Sequence, residues 1–389
     1  MQMEYSGKTM IRLIENAVCG STLVLPYEKP LPEEVLRELY GLSKLHGVAH
    51  IVGSALINSG LADGSGMQSV FRDKVYSSLF RFENMKFVTE KVCNVLETLK
   101  IPYIPLKGAV MREFYPDEWM RMGCDIDILV SEKDVDFAAS EIGRILGYDV
   151  KEKATHDISI LSTEGIYIEL HFGLVEEDYS PAMAKVLGNV WDYAVRCEAG
   201  KYRYALTDGM FYYYHIAHMA KHFIGGGGGV RPFLDLYLMQ KSGRFDTAEV
   251  RELIGKGKLT DFERTVKHLS KVWFSDAEHN DVTRIMEKYI VSGGSFGTQD
   301  TKMISNRQRS GGKIKYILSR IFVPYAELKS QYPIIGKYKI LTPLFELCRL
   351  FSLLTGKRRK FRKYYLGKIN GVTDKHVDEI NLLFESVGL

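Results

Sequence analysis

The sequence predicts an α+β protein in which a small mixed β-sheet lies in the middle of the chain, between helical regions. Three patterns lead to this prediction. Apolar residues recur every three or four positions before residue 100, short apolar runs dominate the next 80 residues, and helical patterns return from Pro181. The length of 389 residues allows two or three domains. The expected divisions are an N-terminal helical region (1–100), an α/β core (101–180), a helical domain (181–291), a linker or mobile loop (292–312) and a basic helical region (313–389).

Two helical patterns are expected before the core. The first begins at Pro32-Glu33-Glu34, since proline and acids suit the first turn of a helix, and runs to about Asn58. After a break at residues 60–66, a long helix follows whose apolar residues lie on one face. Those residues are Phe71, Val75, Leu79, Phe82, Met85, Val88, Val92, Val95 and Leu99.

The core is predicted from short extended runs. Residues 101–106 are extended because the residue before a proline avoids the helical region, and Lys107-Gly108 then leads into a short helix that ends near Phe114. The other predicted elements are strands at 124–130, 149–151, 158–162 and 166–172 and a helix at 133–146 that ends at Gly147.

The remaining chain is predicted to be mainly helical. Thr207-Asp208 begins a helix rich in Tyr and His, and five consecutive glycines at 225–229 indicate a flexible loop, an inert linker or a lid. Further helices are expected at residues 231–241 and 246–271, the second with a break at 255–257.

Composition excludes several classes of protein. The chain is 46% hydrophobic and 26% charged, which is typical of a folded protein and not of a disordered one. Its five cysteines are odd in number and far apart, so we expect neither a disulfide framework nor a CxxC zinc site, and we expect a cytoplasmic location. The charged first 20 residues do not form a signal peptide, and no apolar run reaches the roughly 18 residues of a membrane span.

Positive charge is concentrated near the end of the chain. The formal net charge is only +4, but residues 313–368 carry 14 Lys and Arg against Glu327 and Glu346. A solvated helix end is the simplest interpretation of the basic run at 357–365. Peripheral membrane contact through residues 341–365 is one alternative, and nucleic-acid binding is a less favoured one. The sequence does not indicate the oligomeric state.

Paired carboxylates are the strongest chemical signal. Asp125 and Asp127 lie two apart in an apolar strand, so both side chains point to one face. Two solvated acids at a strand end would give the same pattern. Neighbouring carboxylates otherwise repel each other, and a divalent cation between them removes that cost. Oxygen ligands suit Mg²⁺ or Mn²⁺.

A third carboxylate is predicted on a later strand, where Glu169 and His171 share one face. If that strand lies beside the first, three carboxylates converge, which is enough for a two-metal phosphoryl transfer.

Three residues before the acidic strand are candidates for holding phosphate. Lys107-Gly108 stands where a strand gives way to a helix, and a glycine there lets a phosphate approach the backbone. Arg121 is a further candidate because a guanidinium matches phosphate oxygens in pairs, and pairing with an acid is the alternative.

These motifs resemble the DNA polymerase β-like nucleotidyltransferase superfamily, where a glycine-containing turn precedes an Asp-x-Asp strand and a third acidic strand follows. They are most similar to an uncharacterised bacterial family labelled nucleotidyltransferase family 5, whose pattern runs leucine-lysine-glycine, arginine, glycine-aspartate-x-aspartate-leucine and glutamate-leucine-histidine. The matching residues are Leu106-Lys107-Gly108, Arg121, Asp125-Ile126-Asp127-Ile128 and Glu169-Leu170-His171, with His218, His222, Arg231 and Asp235 further on, over about residues 30–245.

The sequence departs from the family patterns at two places. Most superfamily members carry Gly-Ser in the first turn, whereas Lys107-Gly108-Ala109 has no hydroxyl, which puts standard handling of the triphosphate in question. Cys124 replaces a glycine of the closer family.

Two groups on later helices have a simple interpretation and a sharper one. His215, His218 and His222 are interpreted as a polar helix face, with a substrate pocket or a zinc site as alternatives. Arg231 and Asp235, four apart on a helix, are expected to form an ion pair or to line the pocket.

The motifs together predict an enzyme. It would transfer a nucleoside monophosphate from an NTP to an acceptor hydroxyl that the sequence does not identify. Asp125, Asp127 and Glu169 would hold Mg²⁺ or Mn²⁺ and act in catalysis, while Lys107, Gly108, Arg121 and His171 would bind substrate. The alternatives are a catalytically silent binding or regulatory module that keeps the fold, and a membrane-surface or nucleic-acid-binding factor that acts through the basic region.

Overall fold

The computed structural model describes residues 2–24, 30–174, 180–198, 200–295, 297, 323, 325–354 and 374–389. It confirms the α+β class, with a mixed sheet in the middle of the chain and helices on both sides of it in sequence. The predicted domain boundaries stay predictions. The basic run at 357–365 and most of the predicted linker at 292–312 lie outside the described residues.

The central sheet has five strands and places the candidate site. They are β1 (Tyr103–Pro105), β2 (Asp125–Val130), β3 (Asp149–Lys153), β4 (Asp157–Leu161) and β5 (Tyr167–His171). Their order is β1-β2-β5-β4-β3; β2 and β5 run parallel, and the other neighbours are antiparallel. The sequence predicted each of these five strands, but it did not establish that β5 lies directly beside β2.

The first half of the chain contains six helices among the described residues. They are α1 (Gln2–Cys19), α2 (Glu33–Leu45), α3 (Ala49–Asn58), α4 (Met67–Leu99), α5 (Gly108–Met111) and α6 (Glu132–Leu146). The single helix expected between Pro32 and Asn58 is wrong. Gly47, whose φ of +67° is left-handed, separates α2 from α3 because a backbone in that region cannot continue a right-handed helix. Helix α1 was not predicted, although Met10, Leu13 and Ile14 give it a buried face.

The second half adds ten helices in the described ranges and a small hairpin. The helices are α7 (Pro181–Leu187), α8 (Asp208–Ile224), α9 (Arg231–Lys241), α10 (Ala248–Lys256), α11 (Thr260–Phe274), α12 (Asp281–Gly293), α13 (Tyr325–Gln331), α14 (Ile334–Lys337), α15 (Thr342–Leu354) and α16 (Asp374–Ser386). Strands β6 (Ala194–Arg196) and β7 (Tyr204–Leu206) form the hairpin. Thr207 begins α8 as predicted, since its side chain accepts a hydrogen bond from the Met210 amide at 3.3 Å.

Two hydrophobic cores lie on opposite faces of the sheet. Ile126, Ile128 and Val130 point toward α4 and α6, as the alternation along β2 predicts. Leu129, on the other face, belongs to the larger core, which includes residues of α1, α8, α11 and α16. Asp125 and Asp127 share that second face, so the fold directs both carboxylates toward the helical part of the protein. Among the described residues, no helix is both long and apolar enough to cross a membrane.

The glycine run at 225–229 makes close contacts instead of forming a free loop. The Gly228 amide donates to the Gly294 carbonyl at 3.1 Å. A Cβ on Gly229 would lie 2.8 Å from Ser295 Oγ and 3.0 Å from Ser295 Cα. Glycine is needed at this position for two reasons. A side chain would be too close to Ser295, and the φ of +65° is a backbone conformation that favours glycine. The run therefore lets the segment after α12 cross close to the end of α8.

Replacing Gly229 with alanine tests this close contact. Gly243 provides the matched control, since it has the same left-handed backbone (φ +69°) and nothing within 4 Å of an added Cβ. We expect both Gly→Ala variants to lose about 1 kcal/mol from backbone strain and Gly229→Ala to lose about 1–3 kcal/mol more from overpacking. Urea titrations give the two free energies of unfolding. Equal losses would show that residues 225–229 do not hold this segment.

Candidate active site

A cavity of about 350 Å³ opens where the sheet meets α8 and α9. All seven site residues proposed from the sequence line it: Lys107, Gly108, Arg121, Asp125, Asp127, Glu169 and His171. Residues from α8 and α9 complete the wall, among them Tyr214, His215, His218, Lys221, His222, Arg231 and Asp235. The cavity therefore joins the carboxylates of the sheet to the basic groups of the helical region.

Strand register brings two of the three carboxylates side by side. Asp127 on β2 is the direct partner of Glu169 on β5, and the two strands are parallel. Both side chains point away from the core that contains Ile126 and Ile128. Asp127, Glu169 and His171 each offer a ligand atom, and these atoms all lie within 4.8 Å of one another. These three residues could together hold a metal ion.

Asp127 is the most enclosed of the three acids, with 5% of its surface exposed. Its Oδ1 atom accepts hydrogen bonds from Lys107 Nζ at 2.6 Å and His171 Nε2 at 2.9 Å. Although burial opposes ionisation, Lys107 and His171 hold the pKa of Asp127 well below its usual range. Asp127 is therefore a carboxylate whose charge is compensated by the protein itself.

Asp125 and Glu169 have different surroundings. Burial and the neighbouring charges of Asp127 and Glu169 raise the pKa of Asp125. A hydrogen bond from His171, whose Nε2 lies 3.3 Å from Glu169 Oε2, lowers the pKa of Glu169. The carboxylate cluster thus holds more negative charge than Lys107 and His171 compensate, and the excess is concentrated at Asp125.

Lys107 is held in place by an unusual backbone. Its φ of +42° and ψ of −111° are rare for any residue other than glycine and cost about 1–3 kcal/mol. The preceding amide, that of Leu106, donates to the carbonyl oxygen of Asp127 at 3.0 Å, which ties this turn to β2. Gly108 follows and lines the cavity, where an added Cβ would meet only the Arg121 Nη1 atom at 3.7 Å. The turn thus directs the Lys107 ammonium group to the acids.

Arg121 is buried and paired with an acid. Its Nε donates to Asp235 Oδ1 at 2.7 Å, and its Nη1 donates to the Met122 carbonyl at 3.2 Å. Tyr115 also donates to Asp235 Oδ1, at 2.7 Å. These contacts match the acid-pairing alternative, and direct contact between Arg121 and a phosphate stays a prediction. The expected ion pair between Arg231 and Asp235 is replaced by this one, because Arg121 approaches Asp235 from the loop before β2.

Further cations line the cavity. Arg112, Lys221 and Arg231 line it, in addition to Arg121. Arg231 Nη1 donates to the Met122 carbonyl at 2.7 Å. The Nε atoms of Arg112 and Arg231 are buried and have no hydrogen-bond partner among the described residues. Buried donors of this kind lose their solvation without gaining a partner, so an anion that accepts from them would be stabilised.

The histidines of α8 face the cavity, so their interpretation as a polar helix face is wrong. His222 Nε2 lies 3.1 Å from His218 Nε2. Burial and the positive charge of Lys107 lower the pKa of His222 to about 4 and lower that of His218 as well, so both rings are neutral near pH 7. Tyr214, which lies on the same face of α8, also lines the cavity and was not predicted from the sequence. Its position four residues before His218 was the available signal.

Comparison with known families assigns the chain. Residues 32–275 match the model of a family described as uncharacterised nucleotidyltransferase. The chain belongs to this family. The nucleotidyltransferase match extends from α2 to the end of α11 and contains all seven predicted site residues, and it classes the protein as a transferase. The comparisons found no significant match among curated proteins or solved structures.

The first turn of this nucleotidyltransferase differs from the Gly-Ser turn of the wider superfamily. Ala109 follows Gly108 and offers no hydroxyl. The groups that line the cavity there are Lys107, Gly108 and Arg112.

A double-mutant cycle on Arg121 and Asp235 tests whether this pair joins the helical region to the sheet. Asp235→Leu leaves Arg121 and Tyr115 buried without their acceptor, and we expect it to cost about 3–5 kcal/mol of unfolding free energy. The double variant Arg121→Met/Asp235→Leu removes both charges, so it should be more stable than Asp235→Leu alone. Urea titrations of the wild type, both single variants and the double variant measure the coupling. Additive losses would mean that the two groups do not interact in the folded protein.

Proposed function

We propose that this nucleotidyltransferase transfers a nucleoside monophosphate from an NTP to an acceptor hydroxyl and releases pyrophosphate, with Mg²⁺ or Mn²⁺ as cofactor. The observation that carries the proposal is the register of β2 and β5, which sets Asp127 against Glu169 with His171 beside both. Phosphoryl transfer requires little covalent chemistry from the protein, and positioning and charge neutralisation supply most of the rate. A cavity with acids on one wall and cations on another is suited to both tasks.

The carboxylates are the groups that would hold the metal. Asp125, Asp127 and Glu169 supply the oxygen ligands that Mg²⁺ and Mn²⁺ favour, and the excess negative charge at Asp125 favours a cation there. A bound divalent cation would neutralise charge on the phosphates and lower the pKa of an attacking hydroxyl. His171 would keep the Asp127 and Glu169 side chains oriented through its hydrogen bonds to both.

The basic wall would receive the triphosphate. Arg112 and Arg231 each have a buried Nε available, and Lys221 adds a further charge. Asp235 pairs with Arg121, whereas the buried Nε atoms of Arg112 and Arg231 have no hydrogen-bond partner among the described residues. A triphosphate is an anion of matching size and charge, and guanidinium groups bind its oxygens in pairs. Gly108 leaves room for a phosphate beside the backbone of the first turn.

Lys107 would link nucleotide and metal binding. Its ammonium group lies on the Asp127 oxygen that a metal would also use, so Lys107 competes with a cation for Asp127. A triphosphate offers Lys107 a second anionic partner in the same cavity. The metal should therefore bind more readily once the nucleotide is present, a coupling that is reciprocal by thermodynamic necessity.

Removing the central carboxylate tests the proposed chemistry. We expect Asp127→Asn to reduce Mg²⁺-dependent pyrophosphate release at least about 100-fold, because even the loss of a group that supports a metal ligand costs 10–100-fold. The assay supplies each NTP in turn with a panel of hydroxyl acceptors. Asp149→Asn is the matched control, since Asp149 is an exposed acid on β3 of the same sheet. Full activity of Asp127→Asn would reject the site, and nucleotide and metal binding without turnover by the wild type would favour a silent binding module.

Lys107→Met tests the competition for Asp127. Without the ammonium group, a divalent cation becomes the strongest available partner for this carboxylate, so the variant should bind Mn²⁺ at least about tenfold more tightly than the wild type when nucleotide is absent. Electron paramagnetic resonance of free Mn²⁺ measures this affinity directly. Lys107→Arg retains the charge and serves as the control. Weaker Mn²⁺ binding by Lys107→Met would show that Lys107 supports the metal site instead of competing with it.

A further inference from the structure

Helix α15 and the turn before it carry a row of exposed apolar side chains beyond the end of the nucleotidyltransferase match. Ile340 is 88% exposed, Leu344 56%, Leu347 63% and Phe351 71%. Leu344, Leu347 and Phe351 are spaced by three and four residues in α15, which places them on one face, and Ile340 lies in the turn before them. We call these four residues the α15 apolar face. Large apolar side chains gathered in this way on a surface mark an interaction site.

The opposite side of α15 is already occupied by packing within the same segment. The rings of Phe345 and Tyr332 lie 5.0 Å apart. Arg349 is buried and pairs with Glu346 at 2.8 Å. These contacts orient the helix, so the α15 apolar face is its outward side and not its core side.

The sequence around this face is rich in basic residues. Lys337 and Lys339, just before it, are exposed. The sequence from 313 to 368 carries 14 basic residues against Glu327 and Glu346, and the ion pair with Arg349 compensates Glu346. An apolar stripe in a basic segment complements a surface that is anionic outside and apolar beneath.

We propose that the α15 apolar face binds an anionic lipid surface, with Leu344, Leu347 and Phe351 inserted among the acyl chains and Lys337 and Lys339 at the headgroups. The 13 residues of α15 are too few to span a bilayer, so the helix would lie in the interface. RNA is a poorer match, because the face is mainly aliphatic while single-stranded RNA is bound by aromatic stacking and cations. A second copy is also a poorer match, since two segments of the same positive charge would repel each other.

Another exposed apolar group supplies the matched control. Tyr76 and Phe80 on α4 are 62% and 70% exposed, and both acids and bases flank them in the helix. The proposal assigns lipid binding to α15, so this face should contribute nothing to it. Replacing it removes a similar apolar area without affecting the basic segment.

Flotation of the full-length protein with lipid vesicles tests the proposal. One vesicle preparation contains phosphatidylcholine alone, and the other also contains phosphatidylglycerol. We expect the wild type to float with the anionic vesicles only and Leu347→Gln/Phe351→Gln to lose that binding by roughly tenfold or more. Lys337→Gln/Lys339→Gln should weaken it less, and Tyr76→Gln/Phe80→Gln should leave it unchanged. Thermal unfolding of each variant checks that the fold is intact.

Several results would overturn the proposal. One is failure of the wild type to float with anionic vesicles, and another is binding of these vesicles by Leu347→Gln/Phe351→Gln at the wild-type level. Loss of RNA binding in this variant, measured by gel shift, without vesicle binding by the wild type would assign the face to nucleic acid. A dimer of the wild type that dissociates in Leu347→Gln/Phe351→Gln, seen by light scattering, with no vesicle binding would assign it to self-association.

Discussion

The crowding of carboxylates on β2 and β5 is the constraint on which the site depends. Parallel pairing sets Asp127 against Glu169, and strand alternation adds Asp125 to the same face. Charges held this close in a partly enclosed space require compensation. Lys107 and His171 compensate part of this negative charge, since both donate hydrogen bonds to Asp127 Oδ1. The remainder, at Asp125, makes the site receptive to a cation.

The helical region provides the complementary charge and completes the cavity. Arg121 donates a hydrogen bond to Asp235 of α9. Arg231, on the same helix, donates to the carbonyl oxygen of Met122, the residue after Arg121. Buried ion pairs of this kind position groups more than they stabilise a fold. Together they hold the loop before β2 against α9, so the basic wall stands at a defined place relative to the acids. The sheet alone would leave the carboxylates open to solvent.

Much of this arrangement could be predicted from local patterns, and the rest depended on long-range contacts. Alternation along β2 and β5 was sufficient to place Asp125, Asp127 and Glu169 on one face of each strand. It could not show that β5 lies next to β2, because β3 and β4 come between them in the chain. The partner of Asp235 was mispredicted for the same reason, since Arg231 is four residues away while Arg121 is 114 residues away. The five glycines indicated flexibility, and the close contact of Gly229 with Ser295 could not be read from the sequence.

Anomalous diffraction from crystals grown with Mn²⁺ and a non-hydrolysable NTP analogue tests the central claim most directly. The account predicts an anomalous peak between the carboxylates of Asp127 and Glu169, with the triphosphate between the metal and the guanidinium groups of Arg112 and Arg231. Lys107 should then contact a phosphate oxygen and no longer contact Asp127. A nucleotide bound in the cavity with no metal at Asp127, or a metal bound elsewhere, would contradict it.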